Sequence, residues 1–217
     1  MSKHIRLVKI LLWLGAFIPL GLLVNELFLQ IIPPDDPVEL IQHRTGISAL
    51  ILLLITLSVT PFRRWTSWNW LVKLRRPLGL FAFFYATLHA FSYFVFDHSF
   101  DLAEIWDDVI EHPWVWAGFI AFVLLIPLAV TSTTGWIRRM GGKNWNRLHK
   151  LIYPIAVLGV LHFWWLVKAD VSEPLLYGAI LAVILGVRFI KKPTALSKPL
   201  TPKPPLTPKA PLPPKSL

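Results

Sequence analysis

The chain contains no cysteine. That excludes disulfides, cysteine-held iron–sulfur clusters, thiolate zinc sites and CxxCH haem attachment. A metal or haem here must be held by other side chains. Charge is also scarce: 16% of residues are Asp, Glu, Lys or Arg, against about 25% in soluble domains. Neither GxGxxG nor GxxxxGK[ST] occurs, so no nucleotide-binding loop is built in. No A-x-A-like cleavage site follows the N-terminal apolar run, which reads as a first span rather than a removed signal.

What fills the chain is apolar. Of 217 residues 55% are hydrophobic, and the mean hydropathy is +0.57. The natural solvent for such a sequence is a bilayer. Six segments approach the ~20 residues needed to cross about 30 Å of hydrocarbon. They lie at about 9–32, 46–61, 77–96, 113–131, 148–167 and 174–190, and the second, fifth and sixth borrow flanking residues. The expected fold is all-α: a polytopic membrane protein of six transmembrane helices in a bundle.

The net charge of +10 is a topology signal. Of 22 basic residues, 20 fall in the N-terminus, the 2–3 and 4–5 loops and the segment after span 6. Arg44 and Lys168 are the exceptions, and all 12 acids lie on or facing the opposite side. Positive-inside sorting places both termini in the cytoplasm; nucleic acid is not an expected partner. Residues 1–192 form the six-helix domain. Residues 193–217, rich in Pro and Lys, read as a disordered cytoplasmic tail able to touch anionic lipid.

Ionisable groups within a membrane are costly and tend to be functional. His89 falls inside span 3, His162 inside span 5, and His149 opens span 5. A single such His is as readily a hydrogen-bond partner for a neighbouring helix. Spans 3 and 5 run in the same direction. His89 lies 13 residues past Arg76, and His162 lies 13 residues past His149. At 1.5 Å per residue both sit ~20 Å from the cytoplasmic edge. Two imidazoles at one height in an aromatic bundle suit the axial positions of a haem iron. Two neutral nitrogens are too few for zinc.

His149 matches Arg76 in depth, so a cytoplasmic-side haem has one clear His ligand. Thirteen residues at about 100° each turn His149 and His162 to nearly opposite faces. Either Pro154 re-aims the first turn, or His149 sits just before the helix, or it serves a different group. It also reads as an interfacial cap beside Arg147 and Lys150. Arg44 offers a charge for haem propionates or an ion-pair partner for Asp35 or Asp36. His43 is a candidate partner-contact or quinone-site residue. His98 and His112 flank an acidic loop, 97–112, and are expected to be solvated; His4 is in the leader.

Five segments together resemble a known family. They are DPVELIQHRTG (36–46), TLSVTPFRRW (56–65), RRPLGLFAFFYATLHAFSY (75–93), LAVTSTTGWIRRMGGKNWNRLHKLIYPIAVLGVLHFWWLVK (128–168) and EPLLYG (173–178). The sequence is similar, over residues 8–192, to the MsrQ (YedZ) family, membrane haem subunits among the ferric-reductase-like transmembrane domains. The resemblance implies haem b, bound FMN and a bacterial inner-membrane location. It implies a periplasmic molybdopterin reductase partner, MsrP, in a methionine-sulfoxide repair system. It also implies electrons from the quinol pool or a cytoplasmic flavin reductase, and it carries His89, His149 and His162 as haem-ligand positions. The chain lacks the FAD/NADPH domain of larger ferric reductases and a second span-3 histidine. Expected function is electron transfer across the membrane to MsrP, with the acidic segment 97–112, Glu39 and Asp170 as part of a docking face. The rival readings are a stand-alone ferric-chelate or quinone reductase using the same haem, and a non-redox transporter or scaffold.

Overall fold

Apolar runs of this length leave the backbone one way to pair its polar groups without water, the helix. A computed structural model describes residues 3–29, 35–167 and 170–188, and among them helices dominate and no strand occurs. The helices are α1 (Lys3–Phe28), α2 (Pro37–Thr66), α3 (Arg75–Ser92), α4 (Leu102–Glu111), α5 (Pro113–Val130), α6 (Thr134–Met140), α7 (Gly142–Leu148), α8 (Ile152–Leu166) and α9 (Ser172–Gly186). Among the described residues, five continuous helical stretches are long and apolar enough to cross a membrane: Ile5–Phe28, Pro37–Thr66, Asn69–Asp97, Pro113–Val130 and Gly142–Leu166. The sixth, α9, is apolar but has 15 residues. The chain is therefore a polytopic helical membrane protein. Residues 193–217 and Lys168 lie outside the described residues.

Helix ends follow local chemistry. Asp36 caps α2 by accepting from Val38 and Glu39 N–H at 2.9 Å each, with Pro37 following. Aspartate accepts the orphan donors, and proline has none to lose. At the far end Ser67 turns into the left-handed region, φ 59°, and its N–H reaches Arg63 C=O. The spans are longer than expected where polar residues join the helix: α2 begins nine residues before the expected Gly46.

The residues expected as a loop at 97–112 are mostly helical. α3 continues through a π-helical turn, Tyr93–Asp97. Ser99 and Phe100 then reverse the chain with positive φ, and Asp101 caps α4 through Ala103 and Glu104 N–H. The signal is in the sequence. An Asp cap precedes apolar residues at 102, 105, 106, 109 and 110, an amphipathic helical pattern. Dense acidity had masked it.

α2 packs on α3 and α5 on α8, with α3 meeting α5 between the pairs. The core contains Leu50, Leu53, Leu57, Phe81, Ala82, Tyr85, Leu125, Ala156, Val160 and Phe163. Ala117 and Ala156 are fully buried, as expected where small residues let membrane helices approach. Outward faces are apolar too: Leu11, Leu14, Ile18, Ile120, Val123 and Val183 are exposed, as lipid contact requires. Beside Pro19 of α1, the Tyr85 hydroxyl donates to Ala16 C=O at 2.7 Å and accepts Leu20 N–H at 3.2 Å. A side chain inserted in the ladder thus joins α1 to α3.

The two ends of the bundle differ in charge and are closed differently. At the acidic end Arg44 pairs in two-pronged fashion with Glu26. This corrects the expected Asp35 or Asp36 partner: the end of α1 brings Glu26 against the first turns of α2. At the basic end Arg188 donates to Leu57 C=O at 2.6 Å and to Tyr153 hydroxyl. Its guanidinium lies 4.9 Å over the Tyr153 ring.

Candidate functional site

His89 and His162 meet. Their ring centroids lie 5.9 Å apart, with the planes at 77°. His89 is in the last turn of α3, and His162 is in the last turns of α8. The equal depth read from the 13-residue offsets is realised because both offsets run along helices of the same direction.

Each imidazole is held by main chain. His89 Nδ1 donates to Gln42 C=O at 3.0 Å, and His162 Nδ1 donates to Trp114 C=O at 2.6 Å. A carbonyl only accepts, so Nδ1 carries the proton and Nε2 has the free lone pair. Neither Nε2 has a hydrogen-bond partner among the described residues. This is the arrangement by which a metal-binding imidazole is usually oriented.

The carbonyls are reachable because of two glycines. In a helix the carbonyl of residue i faces residue i+4. Gln42 is followed four residues later by Gly46, and Trp114 by Gly118. A Cβ on Gly46 would lie 3.2 Å from the His89 ring, and one on Gly118 would lie 2.7 Å from His162 Nδ1. The same device thus serves both histidines, once on α2 for α3 and once on α5 for α8. Sequence reading missed both glycines; the i, i+4 relation to the acceptor residue is visible only once the acceptor is known.

The pair fits a single iron between the rings. A metal–imidazole bond of about 2 Å puts the metal roughly 3 Å from each ring centre, or about 6 Å between centres, against the 5.9 Å observed. Among the described residues no group of three or more His, Cys, Asp or Glu could hold a metal ion. A pair with no third protein donor would suit haem iron rather than a metal held by protein side chains alone.

His149 is not part of this pair. It lies in a single 3-10 turn, His149–Leu151, before α8, about 20 Å along the helix from His162. Its Nε2 is 3.1 Å from the Thr131 hydroxyl, and its ring stacks on Trp145 at 3.9 Å. Trp145 in turn donates to Thr131 C=O at 2.8 Å. His149 thus sits at a 3-10 turn inside the continuous helical stretch Gly142–Leu166, and Pro154 follows in the first turn of α8.

The remaining histidines gather at the acidic end. His43 is half exposed, 3.9 Å from Glu173. His98 is a correction: its side chain is 10% exposed rather than solvated. It lies 4.6 Å from the Tyr93 ring and 3.4 Å from Asp108. His112 approaches Asp108 at 2.7 Å as an ion-pair contact without in-line hydrogen-bond geometry. The α4 helix, absent from the expected loop, is what carries Asp108 to them. Near the start of α9 Ser172 holds the Asp170 carboxyl below the usual range, first through its side chain and then through its N–H, which donates at 2.9 Å.

Comparison with known proteins agrees with this architecture. Residues 45–160 match the family described as ferric reductase like transmembrane component. A protein of Herminiimonas arsenicoxydans is 48% identical over 187 residues, 85% of each chain. One of Xanthomonas axonopodis pv. citri is 54% identical over 160 residues, 74% of this chain and 73% of its own. One of Xanthomonas oryzae pv. oryzae is 53% identical over the same length. All three are named protein-methionine-sulfoxide reductase heme-binding subunit MsrQ. The chain belongs to the MsrQ family of ferric-reductase-like membrane proteins.

Proposed function

We propose that this chain is the haem-carrying membrane subunit of a protein-methionine-sulfoxide reductase system, in which His89 and His162 would hold the iron of one haem b. The observation that carries the reading is the facing pair at 5.9 Å, each Nδ1 committed to a backbone carbonyl. When bound, the haem supplies reversible one-electron chemistry. The chain's residues orient the two imidazoles, fix their tautomers and keep water from them. Hydrogen bonds from Nδ1 to carbonyls raise the basicity of the opposite nitrogen and so tune the centre.

The two ends take different partners. In the bacterial inner membrane the basic end faces the cytoplasm, and the donor is the quinol pool or a cytoplasmic flavin reductase. A groove between α1 and α3, lined by Lys9, Trp13, Phe17, Arg76, Phe81 and Phe84, offers aromatic faces and two cations to such a donor. FMN is drawn by its phosphate to the basic stretches 62–76 and 132–150. His149, near that end, serves a separate site there. The acidic end, with Asp101, Glu104, Asp107 and Glu111 around α4, docks the periplasmic molybdopterin reductase MsrP, which performs the repair chemistry.

The test is a pyridine haemochrome assay with dithionite difference spectra, normalised to protein. His89→Ala and His162→Ala are expected to abolish the low-spin band, and His149→Ala to leave it and perturb a separate signal. An unchanged band in the first two variants overturns the ligand assignment. Turnover of ferric chelate or quinone without MsrP would favour a reductase acting alone.

A further inference from the structure

Three features stand outside the histidine pair: the arginines at the basic end, the groove between α1 and α3, and the Asp108 cluster. Arg188 is already spent on Leu57 and Tyr153, and the groove contributes to the donor reading. The Asp108 cluster reaches both histidines indirectly, through the end of α3 and the start of α5.

Asp108 lies on the inward side of α4, and its carboxylate is largely covered, 22% exposed. It takes one hydrogen bond and one ion-pair contact. Tyr93 hydroxyl donates to it; Tyr93 stands one turn beyond His89, in the π-helical continuation of α3. His112 approaches it at 2.7 Å; His112 is the residue at which α5 starts, two before Trp114. The His112 ring lies 4.6 Å from the Trp114 ring, and Trp114 C=O receives His162 Nδ1. His98 closes the cluster, 3.4 Å from the carboxylate and 4.6 Å from the Tyr93 ring.

We infer that Asp108 is a positioning residue: by strapping the end of α3 to the start of α5, it sets the distance between His89 and His162. This rests on the reading of those two histidines as haem ligands and adds a residue to it. The physical case is one of leverage. α3 carries one imidazole itself, and the first turn of α5 carries the carbonyl that aims the other. The first turn is where a helix is held least by its own hydrogen bonds. A carboxylate bridging the two helices at that level resists their separation where the bundle opens to water. Asp108 touches neither imidazole and acts only through Tyr93 and His112.

The experiment uses full-length protein in detergent, reading the low-spin band, the reduction midpoint and the rate of haem loss to excess apomyoglobin. Asp108→Ala is expected to weaken the low-spin band, shift the midpoint and release haem about fivefold faster, the scale of one buried hydrogen-bond partner lost. Asp108→Asn keeps an acceptor for Tyr93 and is expected to retain the band while shifting the midpoint. Tyr93→Phe cuts the α3 side of the strap alone and is expected to resemble Asp108→Ala in milder form; it carries the test if Asp108→Ala does not accumulate. Wild-type spectra and haem retention in Asp108→Ala, or in Tyr93→Phe if it stands in, overturn the inference. Equal loss in Asp108→Ala and Asp108→Asn overturns positioning in favour of charge. His89→Ala and His162→Ala run in parallel: if they keep the band, the ligand reading fails; if they lose it while Asp108→Ala does not, only the strap fails.

Discussion

Gly118→Ala adds one carbon, and the structure says where it lands. The new Cβ would lie 2.7 Å from His162 Nδ1, 2.9 Å from Cε1 and 3.2 Å from Cγ. Ordinary carbon contacts begin near 3.5 Å, so the ring must recede by about 0.8 Å. It is held by a 2.6 Å hydrogen bond to Trp114, and such bonds lose their value beyond about 3.2 Å. Overpacking of this kind costs about 1–3 kcal/mol, and alanine returns up to about 1 kcal/mol in helix propensity. A helix strengthened while the centre weakens is the signature to seek. If the strain is expressed on binding, haem affinity falls about fivefold to a hundredfold at 1.4 kcal/mol per decade. Gly46→Ala, whose Cβ would sit 3.2 Å from the His89 ring, is expected to have a smaller effect in the same direction. Gly159→Ala is the control on α8 itself, because its Cβ meets Leu50 at an ordinary 3.7 Å. The assay is haem titration of apoprotein followed by the low-spin band, with thermal melting in parallel. Wild-type affinity in Gly118→Ala would refute the cradle argument.

Three further outcomes are expected. Tyr85→Phe leaves Ala16 C=O and Leu20 N–H without their bridge; a loss of about 1 kcal/mol, within the range for membrane hydrogen bonds, should lower the melting temperature in detergent without changing haem content. Arg188→Gln removes the charge that ties Leu57 and Tyr153 at the basic end, and limited proteolysis should cut the segment after α9 faster while the low-spin haem band stays unchanged. Asp170 is held below the usual carboxylate range by Ser172; its contribution is present above the ordinary carboxylate pKa and lost as pH falls through the lowered folded-state value, so exchange of the Ser172 amide should gain protection across acidic pH in the wild type but not in Asp170→Asn.

The spans were legible because a bilayer demands length and apolarity, and both are one-dimensional properties. The His89–His162 meeting was legible for the same reason: depth is residue count times rise. What lay across the helices was not. Glu26 won Arg44 over the sequence-adjacent Asp35 and Asp36, because the neighbour in space was the end of α1. His98 looked solvated beside so many acids, yet the turn at Ser99 and Phe100 folds α4 back over it. Trp145 is the i−4 neighbour of His149 and its stack follows helical spacing, but Thr131 comes from the end of another helix, and no spacing rule joins it to His149.

Both imidazoles rest on main-chain oxygen, and an oxygen of that kind belongs to no side chain. A survey that trims residues one at a time would find positions 42 and 114 forgiving with respect to these two bonds. Damage would instead be recorded one turn later, at two residues with no side chain to trim. Two chemically silent positions are therefore where the aim of the imidazoles is most exposed to a single added carbon.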